Sequence, residues 1–241
     1  MLSQADPHAA VRRLRAALPG LAALLAISAC APRPVERPTE QPLPGVVQPA
    51  DARTYRVDAE GTELLLLVFR TGPLARLGHN HAITTQDESG TAWISRDGRR
   101  AGFDLRLPVE RMLVDDPAAR ARAGTEFSAP VPEDAREGTR RNMLRAEVLD
   151  AASYPEMRLQ AQGLAAATGS QTVPVVVTLK DSVRTVQVPV ELSVTASSVA
   201  ARGTLKVRQS DFGITPFSVG GGAIQVADEI EVRFEFLARA D

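Results

Sequence analysis

The stretch Val186-Gln187-Val188-Pro189-Val190-Glu191-Leu192-Ser193-Val194-Thr195 alternates apolar and polar residues without a break. Successive side chains of an extended strand point to opposite faces, so this stretch lays one row on a core and the other in water. Glu229-Ile230-Glu231-Val232-Arg233-Phe234-Glu235-Phe236 repeats the rule near the C-terminus. Phe103, Leu105 and Leu107 alternate with Gly102, Asp104 and Arg106, and Met157, Leu159 and Ala161 with Glu156, Arg158 and Gln160. One-sided burial of this kind belongs to antiparallel sheets, because parallel strands are covered on both faces and read as continuous apolar runs.

Further strands are expected over 62–70, 81–85, 90–95, 172–179 and 202–209. Leu64 to Phe69 is apolar at every position, which predicts cover on both faces of that strand. A helix is the expected cover. Pro132, Glu133 and Asp134 make a helix start, Leu144 and Val148 fall four apart on one face, and Tyr154-Pro155 is the expected stop. About eight amphipathic strands with one or two short helices predict an all-β fold, a closed or nearly closed antiparallel barrel without exposed sheet edges. A barrel of that size either fills with its own side chains or keeps room for one small ligand, and pattern alone does not decide between them. Only 4% of residues are aromatic, and the expected inward rows are Val, Leu and Ala, which is compatible with a hollow.

The N-terminus reads differently. Arg12, Arg13 and Arg15 precede an apolar run from Ala16 to Ser28 that is too short to span a bilayer, the pattern of an export signal. It ends in Ile27-Ser28-Ala29-Cys30, which resembles the bacterial lipobox and marks Cys30 as the lipidation site. Cys30 is the single cysteine of the chain, so no intramolecular disulfide is available. Pro32, Pro34, Pro38, Pro42, Pro44 and Pro49 then interrupt a polar stretch with too few apolar residues to fold. The expected organisation is a lipoprotein signal peptide over 1–29, a Pro-rich linker over 30–53 and a barrel domain over 54–240. At roughly 3 Å per residue, such a linker spans some tens of ångströms.

A formal net charge of -1, with arginines scattered through the chain, offers no basic stripe for nucleic acid, and none is expected as a partner. Gly78-His79-Asn80-His81 places two imidazoles on one side of an extended segment, a candidate half-site for metal. No further histidine or cysteine of the mature chain is left to complete it, so a hydrogen-bonding role is the default. Asp211-Phe212-Gly213 lacks the other elements of a kinase site, and Gly220-Gly221-Gly222 lacks the lysine of a phosphate loop and is read as a turn. No nucleophile elbow is present, no cofactor is expected, and the chain is read as a binding protein without enzymatic activity.

The ordered string Tyr55-Arg56-Val57-Asp58, then Ala151-Ala152-Ser153-Tyr154-Pro155-Glu156-Met157-Arg158-Leu159, then Val177-Thr178-Leu179-Lys180 with Val186 to Val190, closes with Ser210-Asp211-Phe212-Gly213-Ile214 and Ala227 to Val232. In order and spacing it resembles the YceI-like family of bacterial exported proteins over essentially all of Tyr55 to Ala238. The resemblance implies a lipocalin-like barrel with a helix against it, holding a polyisoprenoid or similar long-chain amphiphile. The chain departs from the family at Gly61-Thr62 and at Asp181-Ser182-Val183, and its Gly-His-Asn-His element resembles that of only part of the family.

Strand parity and this resemblance together nominate Phe69, Leu77, His79, His81, Trp93, Phe103 and Leu105 as ligand-binding residues. Met143, Leu159, Val188, Leu205, Phe212, Phe217 and Phe234 complete the set. The expected partners are a long-chain lipid and, through Cys30, a membrane, with a homodimer also compatible. The expected location is the bacterial envelope, facing the periplasm, on the outer membrane because Ala31 rather than Asp follows the cysteine. Two other readings stand beside this one: a metal- or redox-associated accessory protein using His79 and His81, and a solidly packed structural module of the envelope.

Overall fold

The computed structural model describes residues 47–240. Chain order begins with β1 (Arg53–Val57), β2 (Glu63–Val68), β3 (Arg70–Thr71), β4 (His81–Thr84), β5 (Ser89–Ile94), β6 (Ala101–Pro108) and β7 (Leu113–Val114). Two helices follow, α1 (Pro117–Ala123) and α2 (Glu133–Leu144). The remaining strands are β8 (Glu156–Leu164), β9 (Gly169–Leu179), β10 (Ser182–Val194), β11 (Ser198–Arg208), β12 (Ser218–Val219), β13 (Ile224–Val226) and β14 (Glu229–Ala240).

The alternating stretches become long hairpins. β9 and β10 pair from Leu179↔Ser182 to Gly169↔Leu192, turning at Lys180 with φ 56°. β11 pairs along β14 from Ser198↔Arg239 to Arg208↔Glu229. Eight antiparallel strands in the order β1-β5-β6-β8-β9-β10-β11-β14 close into a barrel where β14 returns to β1, through Val57↔Ala238 and Tyr55↔Ala240.

The edge of β14 that meets β1 is shared. β1 takes its C-terminal end, whereas β2 takes Glu231 to Glu235, from Leu67↔Glu231 to Glu63↔Glu235, and leads on to β4 and β7 as a branch. Between β1 and β2 the chain leaves the ladder in a turn capped by the Asp58 carboxylate, which accepts from the Gly61 amide. Thr62 bridges the break: its hydroxyl donates to the Leu237 carbonyl at 3.2 Å and accepts from the Leu237 amide at 3.1 Å. β1 was not among the expected strands and begins at Arg53, inside the expected linker, although Tyr55 and Val57 carry the same period.

Leu64 to Phe69 is covered on both sides, but not by the expected helix. Leu65 and Leu67 of β2 pack with Ala82 against Ala119 and Ala123 of α1 and Phe127 beyond it. α1 has no large apolar residue and therefore no hydrophobic period to read; its alanines let the helix lie close to the strand. Its start follows ordinary capping, with Asp116 accepting from the amides of Ala118 and Ala119 at 3.0 and 3.1 Å and Pro117 in the first turn. α2 instead sets Met143 over one end of the barrel, beside Leu107, Val109 and Met112. It stops at Leu144, where Arg145 is already extended, so Val148 lies past its end and Tyr154-Pro155 plays no part in stopping it. The Gly220-Gly221-Gly222 turn joins β12 to β13 with all three φ values positive.

Candidate ligand cavity

The inward rows enclose a hollow of about 320 Å³. Val186, Val188, Val190, Leu192 and Val194 of β10 form one wall, and Ile230, Val232, Phe234 and Phe236 of β14 another. β9 adds Val173, Val175, Val177 and Leu179, and β6 adds Phe103, Leu105 and Leu107. Although interior, Val186, Val188, Leu205, Val207, Phe234 and Phe236 are only half-buried, because the space they touch is the hollow and not another side chain. Packed interiors leave few voids larger than a water molecule, so this interior is not one that its own residues fill. A solidly packed module is not what the geometry describes.

Of the nominated residues, Trp93, Phe103, Leu105, Met143, Leu159, Val188, Leu205, Phe212 and Phe234 lie on the cavity wall. Trp93 pairs with Gly102, between the inward positions Ala92 and Ile94. Phe212 reaches the wall from a short turn after β11, buried at 6% exposure. Phe69, Leu77, His79, His81 and Phe217 lie off the wall. Phe69 faces the helix side of β2, stacking edge-on with Phe127 at 5.4 Å. Leu77 is 60% exposed, and Phe217 sits in the β12–β13 region, its carbonyl accepting from the Val226 amide.

The two histidines separate in role. His81 Nδ1 lies 2.6 Å from Asp115 Oδ2, and Thr139 Oγ1 is 3.4 Å from its Nε2. Asp115 also accepts from the Ala82 amide at 3.0 Å and from Arg120 Nη1 at 2.5 Å. Arg120 in turn donates to the carbonyls of Asn80 and Ala129, so this buried network ties β4 to α1 and the chain beyond it. Burial works to raise the Asp115 carboxyl, but its bonds to His81, Ala82 and Arg120 outweigh that and hold it below the usual range. His79 sits 6.3 Å from the His81 ring; burial, and then the charges of His81, Arg120 and Arg70, depress its basicity. Among the described residues, no group of three or more His, Cys, Asp or Glu is placed to hold a metal ion. Cys30 lies outside the described residues.

One wall residue was not nominated. Glu88 precedes β5 on the parity of Ala92 and Ile94, lines the hollow, and is 5% exposed. Extending the β5 alternation backwards through Gly90 would have found it. Burial, reinforced by the charges of Asp87 and Glu63, holds its carboxyl above the usual range, against the opposing influence of Thr85 and its own amide.

An eight-stranded antiparallel barrel closed around an apolar hollow defines the lipocalin-like class of folds. Within that class, the chain belongs to the YceI-like domain family, whose model matches residues 110–238, more than half of its length. The crystal structure of BcnA from Burkholderia cenocepacia is similar in fold, with 15% identity and a TM-score of 0.53 over 76% of this chain and 99% of that one. The YCEI protein of Campylobacter jejuni aligns at 12% identity and a TM-score of 0.46, over 66% of this chain and 84% of that one. No curated protein sequence matches the chain.

Proposed function

We propose that this chain is a lipid-anchored binding protein of the bacterial envelope, facing the periplasm, that holds a long-chain isoprenoid or similar amphiphile inside its barrel. The observation that carries the reading is the hollow itself, whose wall is Val, Leu, Ile, Phe and Met with few polar groups. Each methylene moved from water into such a wall gains about 0.8 kcal/mol, so a long chain is held by burial without directional chemistry. Membership of a family of polyisoprenoid-binding proteins supports the class of ligand. The lipobox-like Ile27-Ser28-Ala29-Cys30 supports the anchor, and the proline-rich spacer behind it would let the barrel stand off an outer membrane.

The test is to purify the protein from membranes, extract it with organic solvent and identify what is released by mass spectrometry. The expected result is one long-chain lipid in near-stoichiometric amount. A protein that comes out empty and takes up no added isoprenoid would overturn the reading. Labelled palmitate incorporation, lost in Cys30→Ser, tests the anchor separately.

A further inference from the structure

The inward row of β5 runs back past the start of the strand. Ile94 and Ala92 face the hollow opposite Ala101 and Phe103, Gly90 pairs with Leu105 on the same parity, and Glu88 comes next. Neither Glu88 carboxyl oxygen makes a hydrogen bond of normal geometry among the described residues; the Thr85 hydroxyl and Glu88's own amide are its polar neighbours, and the Thr85 hydroxyl already accepts from the Leu64 amide. Asp115, the other buried carboxylate among the described residues, is served by Arg120, His81 and an amide, and even the half-buried Asp104 has Arg158. The nearby cations are committed elsewhere, Arg111 to Asp87 and Arg122 to Glu63, both at 2.5 Å.

Glu88 also stands at a particular place in the barrel. It shares the cavity wall with Thr62, the residue that bridges the break between β1 and β2, and on its other side it lines a polar outer groove with Glu63, Asp87, Arg111 and Arg122. It is the only carboxyl on the cavity wall among the described residues. Arg208, the other charged group on that wall, is solvent-exposed, so a head group beside it keeps its water. A buried acceptor without a donor costs free energy until a donor arrives, and an anion brought to it raises that cost.

We propose that Glu88 reads the head group of the bound amphiphile, taking chains whose polar end donates hydrogen bonds, a hydroxyl or an amine, and refusing chains that end in a carboxylate. This rests on the cavity being a lipid site. The chain fills the apolar hollow, and the head meets Glu88 at the seam between β1 and β2, where the polar groove begins.

The test measures binding of hexadecanol, hexadecylamine and hexadecanoate to delipidated protein at pH 7. The wild type is expected to bind both donor heads at least about tenfold tighter than hexadecanoate. Glu88→Gln, whose amide donates as well as accepts, is expected to bring hexadecanoate within about threefold of hexadecanol. Glu88→Leu, a second variant with no polar group, is expected to keep chain binding and lose head preference. An amine advantage over the alcohol assigns an ion pair and parity assigns hydrogen bonding alone; both carry the donor-head reading. Equal affinity for all three heads in the wild type, or an unchanged ratio in Glu88→Gln, overturns it and leaves the lipid site standing. If none of the three chains binds, the lipid site itself falls and the head-group reading with it.

Discussion

The ring of Phe234 on β14 lies over the backbone of its cross-strand partner Gly203 on β11, so close that a β-carbon at Gly203 would meet Phe234 Cζ at 2.7 Å and the Pro189 carbonyl oxygen at 2.3 Å. The glycine lets a large ring lie down on the barrel wall instead of standing into the hollow. Gly203→Ala is therefore expected to push Phe234 inward and to lower stability by about 1–3 kcal/mol. Urea unfolding checks the stability, and lipid uptake, expected to fall with it, checks the cavity.

Filling the hollow should do the opposite to stability. Val188 is half-buried and faces empty space, so Val188→Trp adds apolar contact where there is room for it. The expected outcome is a folded barrel with an unchanged or higher Tm and no co-purifying lipid. Circular dichroism melts and mass spectrometry of the extract decide it; a variant that still carries lipid would show that the chain lies elsewhere.

Asp115 holds His81 and Arg120 together with no exposed side-chain surface of its own. Replacing it with Ala strands a mostly buried guanidinium, and a loss of about 3–5 kcal/mol is expected at pH 7. Because its folded pKa is depressed, the stabilisation is present above the unfolded value near 3.9 and disappears as pH falls through the folded value. The gap between wild type and Asp115→Ala should narrow below about pH 4 in urea unfolding over a pH series.

Glu88 predicts the reverse slope. Its folded pKa is raised, so the empty wild type has its full stability below the unfolded value near 4.3 and loses some as pH rises through the folded value. Delipidated Glu88→Gln is expected to melt higher than wild type at pH 8, with the difference vanishing towards pH 4. A wild type whose melting is flat against the variant across that range would mean that the carboxyl is hydrated in the empty protein.

The histidine pair is expected to carry no metal-dependent stability, since His81 is turned into Asp115 at 2.6 Å. Tm measured with and without added zinc, in wild type and in His79→Ala, should agree within about a degree; a rise confined to wild type would restore a metal role.

Strand existence and facing were legible because they depend on a two-residue period that any one strand carries within itself. Val186 to Val194 and Ile230 to Phe236 were assigned an inward row, and those rows line the hollow. β1 is not legible because five residues beside a proline-rich stretch give only two turns of the period. α1 is not legible because alanine carries no amphipathic contrast, so the cover of β2 comes from this helix and not from the α2 region that the pattern points to. His79 and His81 share a side in an extended chain, but the pull of Asp115 from the far end of β7 is a long-range contact that spacing cannot contain.

The residues alone dictate that these strands are antiparallel and which positions of the long alternating runs face inward, because each is a property of neighbouring residues. Only the folded chain shows that the barrel stays hollow, that β14 divides its edge between β1 and β2, and that Glu88 is buried on the cavity wall without a charged partner. Volume and pairing are sums over residues far apart in the chain. Whether eight inward rows meet in the middle or leave a gap depends on the girth set by closure, which no single strand encodes.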